Sequence, residues 1–223
     1  MGSYGHAGLG IAYRVLNNVF VPEQSITLRR PWGDYHPVWN VILTVALPMI
    51  CAVYVGMAEA AAEKALTDAT AKGDDGVNAL AVGEMQTELT TAQIALESMV
   101  ANANELDVEP GIEHANRALI RKTIVADAVK REAEKALEAT GGAGYFRRLG
   151  LERILRDAQA AQFHPMPAKK QHRFTGRLAM AWIRRYSRRA REAVSLRRCG
   201  GSVVSGTEPT REVLTDLPAA EKR

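Results

Sequence analysis

Apolar positions along the chain fall into blocks divided by short breaker clusters. From Val38 to Ala58 almost every position is apolar, with Asn40, Thr44 and Pro48 the interruptions, and charge returns at Glu59, Glu63 and Lys64 in AEAAAEKALTDATAK. A stretch apolar on every face predicts a helix enclosed by other helices, kinked or started late at Pro48 because proline has no amide hydrogen to donate. The same stretch is about 21 residues long, enough to cross a bilayer, so a single-pass membrane protein is an alternative. Its continuation as an Ala-rich amphipathic segment favours burial within protein.

Gly73-Asp74-Asp75-Gly76 separates this helix from a second one, expected over Ala79–Asn104 with Met85, Leu89, Ala92, Leu96 and Met99 on one face. After Pro110, which suits a first turn, a third helix is expected from Ile112 to about Ala139, with Ala115, Leu119, Ala126, Val129, Ala133 and Leu137 as its buried stripe. Glu113 with Arg117, and Asp127 with Arg131, have the spacing of supporting ion pairs. Thr140-Gly141-Gly142-Ala143-Gly144 ends that helix, and a shorter one is expected over Leu151–Phe163. Before all of these, Val19-Phe20-Val21 and the breaker cluster Arg30-Pro31-Trp32-Gly33-Asp34 predict a short extended lead-in. The expected architecture is all-α, an up-and-down bundle over 38–182, preceded by an extended segment over 1–37 and followed by a basic, disordered tail over 183–223.

Composition sharpens this. Of 223 residues 47% are apolar and only 6% aromatic, and abundant Ala with Leu, Glu, Lys and Arg is the mixture of packed helices. The +4 formal charge is concentrated between Arg173 and Arg198. With no stacking platform, zinc motif or helix-turn-helix beside it, that run does not point to nucleic acid. Cys51 and Cys199 lie in unlike settings, so no disulfide framework is indicated, and the N-terminus MGSYGHAGLG has no secretory pattern. A cytoplasmic location is the expectation.

The string EATGGAGYFRRLGLERILRDAQAAQF, Glu138 to Phe163, carries the chemistry. It resembles the acyl-CoA dehydrogenase pattern, in which a long helix ends at a Gly-Gly-x-Gly turn and an aromatic, a Leu-Glu-Arg and an Arg-Asp follow; Arg153, Arg156 and Asp157 stand at matching distances. VLNNVFVPEQ, Val15 to Gln24, is similar to the last strand of that family's middle β domain, which would make 1–37 a remnant of that domain and its linker, so the order agrees over roughly Val15 to Gly176. The resemblance implies the family's C-terminal helical bundle, with the two preceding domains lacking a counterpart, FAD as cofactor, an acyl-CoA thioester as substrate, and a homo-oligomer or association with the missing domains. It also implies that Gly141, Gly142 and Gly144 approach the flavin nucleotide of a neighbouring subunit, where a backbone without Cβ comes close to phosphate. Gln86 resembles a family glutamine that contacts the partner's cofactor.

The pattern then departs from the family. Where many members carry a catalytic glutamate after the Arg-Asp pair, this chain has His164-Pro165-Met166-Pro167, and the alternative base position on the first helix falls at Trp39 or Asn40. His164 is the remaining candidate base, since imidazole titrates near neutrality; as a plain turn residue it would pack between Phe163 and Pro165. His6, His36, His114 and His172 lack metal-ligand spacing, and no metal is expected. The family's Arg-x-x-Phe-Gly element is missing between Ala71 and Gly83. The expected function is FAD-dependent oxidation of an acyl-CoA thioester, with a non-catalytic helical remnant or oligomerisation module, and the membrane-anchored protein, as the alternatives.

Overall fold

The computed structural model describes residues 15–31, 35–73 and 76–180. The apolar run starts its helix at once: the Val38 amide donates to His36 Nδ1 at 3.2 Å, and α1 runs from Val38 to Lys72. It does not wait for Pro48, which lies inside the helix and is buried. Pro48 cannot donate to the Thr44 carbonyl, and the Thr44 hydroxyl itself turns back to the Asn40 carbonyl at 2.8 Å.

α2 (Gly76–Asn102) and α3 (Ile112–Thr140) follow, then α4 (Leu151–Ala158) and α5 (Ala168–Ala179). The ion pairs Glu84–Lys135 at 2.6 Å and Glu88–Arg131 at 2.8 Å, with Arg121 Nε donating to Ser98 Oγ at 2.7 Å, set α2 antiparallel to α3. α1 runs parallel to α3, because Asn40 Nδ2 meets the Pro110 carbonyl at one end (3.1 Å) and Lys72 Nζ meets the Thr140 carbonyl at the other (2.6 Å). The up-and-down bundle expected from the sequence is therefore present, with α3 at its centre. The turn from α2 to α3 places Asn104, Glu105 and Leu106 in the left-handed region, at φ 42, 52 and 74°.

The α2 stripe is buried as expected, except that Ala81 and Ala95 join it and Leu96 lies at its edge. Alanines at 58, 61, 62 and 65 on α1 and at 126, 128, 133, 136 and 139 on α3 are all within 3% of full burial, so the helices meet through small side chains. The expected Asp127–Arg131 pair is replaced: Arg131 reaches across the groove to Glu88, and Asp127 takes Lys130 at 3.0 Å.

Two regions differ from the sequence expectation, and one within the expected bundle forms a helix whose bounds the sequence leaves open. α4 ends at Ala158 and continues as a 3-10 segment, Gln159–Gln162, instead of reaching Phe163 as one helix. The basic stretch after Pro167 forms α5, which docks on α3 through Gln171, Phe174 and Leu178. Val19-Phe20-Val21 is exposed chain flanking a single 3-10 turn at Glu23–Ser25, and no strand occurs among the described residues; a strand needs a ladder partner, and the described part of this chain offers none. Trp32, Gly33, Asp34, Asp74, Asp75, Trp182, His6, Cys199 and the whole 183–223 segment lie outside the described residues.

α1 is long and apolar enough to cross a membrane, with 44% of its most apolar stretch buried in the bundle. Leu47, Cys51, Tyr54, Val55 and Ala58 face the other helices, whereas Ile42, Met49 and Val53 face outward.

Candidate functional site

α3 ends because Gly141 takes φ 58° and ψ −144°, a conformation that residues with a Cβ avoid. The cation of Lys72 meets the Thr140 carbonyl there, as suits the negative end of a helix, and also pairs with Asp68 at 2.6 Å. Gly141–Tyr145 then forms a 3-10 turn. Its three glycines do different things. A Cβ on Gly144 would stand 2.1 Å from Thr140 Oγ1 and 2.9 Å from Leu137 Cδ1, so this buried glycine is required by packing against α3. A Cβ on Gly141 or Gly142 would meet nothing within 4 Å, and both residues are exposed.

Beside that open backbone stand Tyr145 and Phe146, edge to face with centroids 6.0 Å apart and 75% and 66% exposed, followed by exposed Arg147 and Arg148. Uncovered backbone, aromatic faces and two guanidinium groups are the kinds of group that contact a phosphate-bearing ligand. Gln86 is half-buried on α2, and the α2–α3 register sets it level with Ala133, about 10 Å along the axis from the end of α3 at 1.5 Å per residue. Gln86 and the glycine turn thus share one end of the bundle.

His164 is placed elsewhere. Its segment lies against α3 at Lys122, whose Nζ donates to the Met166 carbonyl at 2.9 Å and the Gln162 carbonyl at 3.4 Å. Lys122 and Thr140 are about 27 Å apart along the helix axis, so the candidate base and the glycine turn do not form one contiguous site within this chain. His164 and Phe163 are both exposed, and the His164 amide donates to the Ala160 carbonyl at 3.2 Å. Asn40, the other position where the family places a base, is buried between the Tyr35 hydroxyl and the Pro110 carbonyl and acts as a structural link. Burial pushes the Tyr35 hydroxyl up to about 12.

Two buried ionisable groups on α3 were not singled out from the sequence. Lys122 is 1% exposed, and burial lowers its ammonium to about 8. Glu132 is fully buried with both carboxylate oxygens unpartnered, and burial raises its carboxyl to about 8. The signal was available for Lys122, which sits between Leu119 and Ala126 in the stripe at the spacing of a core position. Cys51, on the facing side of α1, is buried and its thiol is pushed up to about 12, so it is inert as a nucleophile.

Comparison with known proteins agrees with the architecture. Residues 48–168 match the family model of the acyl-CoA dehydrogenase C-terminal domain. An acyl-CoA dehydrogenase of Bacillus subtilis (strain 168) is 28% identical over 153 residues, covering 67% of this chain and 40% of its own length. Among solved structures, KijD3 in complex with FMN and a dTDP-linked amino keto sugar superposes at a TM-score of 0.60 with 24% identity, covering 69% of this chain and 40% of that one. The nitrososynthase of Micromonospora carbonacea var. africana superposes at 0.59 with 22% identity, covering 68% and 41%. The 3-HSA hydroxylase of Rhodococcus sp. RHA1 superposes at 0.57 with 21% identity, covering 66% and 40%. The chain therefore spans about 40% of the length of each of these relatives.

Proposed function

This chain belongs to the acyl-CoA dehydrogenase family through that family's C-terminal domain, and from this premise we propose that it is the helical part of a flavin-dependent oxidoreductase. The observation that carries the proposal is the glycine turn: Gly141 and Gly142 leave the backbone open at the end of α3 beside Arg147 and Arg148. FAD is the flavin proposed, because Arg147 and Arg148 supply guanidinium groups for a pyrophosphate beside a backbone that carries no Cβ at Gly141 and Gly142, while Lys72 offsets the negative end of α3. When bound, the flavin supplies the acceptor for the electrons removed from substrate. Gln86, at the same end of the bundle, is proposed to hydrogen-bond the cofactor.

Oxidation of a CH–CH bond in an acyl-CoA thioester also needs a base for the α proton. His164 is the side chain proposed for that role, with Phe163 beside it as an apolar wall. The exposed apolar positions Ile42, Met49 and Val53 on α1 support burial of this face against a second copy or the remaining domains. A cytoplasmic location is proposed on the same reading.

The two base positions favour a second reading. Neither Asn40 nor the 164–167 segment offers a carboxylate, and relatives of the same fold are named as a nitrososynthase and a hydroxylase. Flavin-dependent oxygenation of a substrate that is not a thioester is therefore the alternative.

The test is to purify the chain, load it with FAD or FMN, and mix it anaerobically with a panel of acyl-CoA thioesters. Bleaching of the flavin by a thioester, abolished by His164→Ala, is the expected outcome. Flavin binding without bleaching by any thioester favours the oxygenase reading, and absence of flavin binding points to a non-catalytic helical module.

A further inference from the structure

Lys122 is a lysine in a place where lysines are almost never found unless paired. It lies in the middle of the stripe by which α3 contacts its neighbours, 1% exposed, and among the described residues its ammonium has no carboxylate partner within hydrogen-bonding distance. What it holds is backbone. Nζ donates to the carbonyls of Gln162 and Met166, which stand two residues before and two residues after His164. Among the described residues the other hydrogen bonds of this segment are local: the Phe163 and His164 amides both reach the Ala160 carbonyl, at 3.0 and 3.2 Å, and Gln162 Nε2 reaches Gln159 Oε1. Met166 is 2% exposed and anchors the downstream side, while Phe163 and His164 project outward.

We propose that Lys122 is a positioning residue for His164: it ties both shoulders of the 162–166 turn to α3 and so fixes where the imidazole stands. This deepens the functional reading above and rests on it for the role of His164. The design has a physical logic. A turn that presents an exposed side chain has few apolar contacts of its own, so its geometry must come from a rigid element beneath it. An ammonium group can satisfy two carbonyls at once, which no apolar core residue can do. Burial lowers the ammonium only to about 8, so it remains a charged donor at neutral pH.

The test compares the whole chain with Lys122→Met, which keeps the stem length and removes the donors, and Lys122→Gln, which keeps one donor group. Hydrogen–deuterium exchange is followed peptide by peptide without ligand, together with the rate of diethyl pyrocarbonate modification at His164. Leaving the buried Met166 carbonyl unsatisfied predicts roughly tenfold to hundredfold faster exchange over 160–166 in Lys122→Met. Protection of α1 and of the middle of α3 is expected to stay unchanged, the His164 modification rate to move with the turn, and Lys122→Gln to fall between. Uniform loosening of the bundle, or unchanged exchange at 160–166, would overturn the proposal and make Lys122 a packing residue. If Lys122→Met does not fold, the same reading is taken from Lys122→Gln. Local loosening in a chain that binds no flavin upholds the positioning role and overturns only the functional role of His164.

Discussion

Gly142 and Gly144 are two residues apart, yet the structure gives them opposite sensitivities. Gly144→Ala forces a Cβ onto Thr140 and Leu137, and overpacking of this kind is expected to cost about 1–3 kcal/mol, read as a lowered Tm. Gly142→Ala meets open space and is expected to leave the unfolding free energy within about 0.5 kcal/mol of the original, with Tm nearly unchanged. Equal losses in the two variants would contradict the assignment of packing to one and ligand approach to the other. Glu132 allows a sharper test. Its folded carboxyl is raised to about 8 from 4.5, so the folded chain holds a proton that the unfolded chain has released. Stability is then greatest below pH 4.5, falls as pH rises towards 8, and the full penalty is present above that. Glu132→Met is expected to raise stability by on the order of a few kcal/mol at pH 8.5 and by clearly less at pH 5. A gain independent of pH would show that Glu132 has a partner.

At the scale of elements, the helix that gave the least warning is α5. Its fixed contact with α3 is a chain of buried and half-buried polar groups: Asn116 Oδ1 accepts from Thr175 Oγ1 at 2.7 Å, Gln171 Nε2 meets that hydroxyl at 2.7 Å, and Thr123 Oγ1 donates to Gln171 Oε1 at 2.8 Å. Gln171→Leu removes two links of this chain and leaves Thr175 with Asn116 and Thr123 with the Leu119 carbonyl, so a loss of about 1–2 kcal/mol is expected, with faster proteolysis after Lys169 or Lys170 as the readout. A neutral effect would mean that Phe174 and Leu178 alone hold α5. Such a network has no apolar period, which is why the sequence showed only a basic stretch there. α1, α2 and α3 were legible because their stripes repeat at helical spacing and glycines mark their ends. Leu96 and Leu137 have the spacing of core positions but lie at the edge of the core, since spacing locates a face but not how much of its width a neighbour covers. Charge in a sequence predicts a surface position, and Lys122 and Glu132 depart from this because α3 is enclosed on more faces than an outer helix.

For the whole molecule, the family and the helical architecture could be read from Glu138–Phe163 together with the order of the blocks, and the match over 48–168 agrees. The arrangement of the site could not be read in this way. Gly141 and His164 are only 23 positions apart in the sequence, but α4 and the 3-10 segment carry the chain back along α3, so they end at different levels of the bundle. If the glycine turn serves a neighbouring copy's flavin, as the resemblance implies, the two halves of the chemistry belong to different subunits. The most direct measurement is a titration of FAD into the purified chain and into Gly142→Asp, followed by flavin fluorescence. Aspartate there adds negative charge where phosphate is proposed to sit, and its Cβ meets open space. Saturable binding by the original chain, weakened at least about tenfold in Gly142→Asp at unchanged helicity, is the predicted result. Equal binding by both proteins, or none by either, would contradict the account.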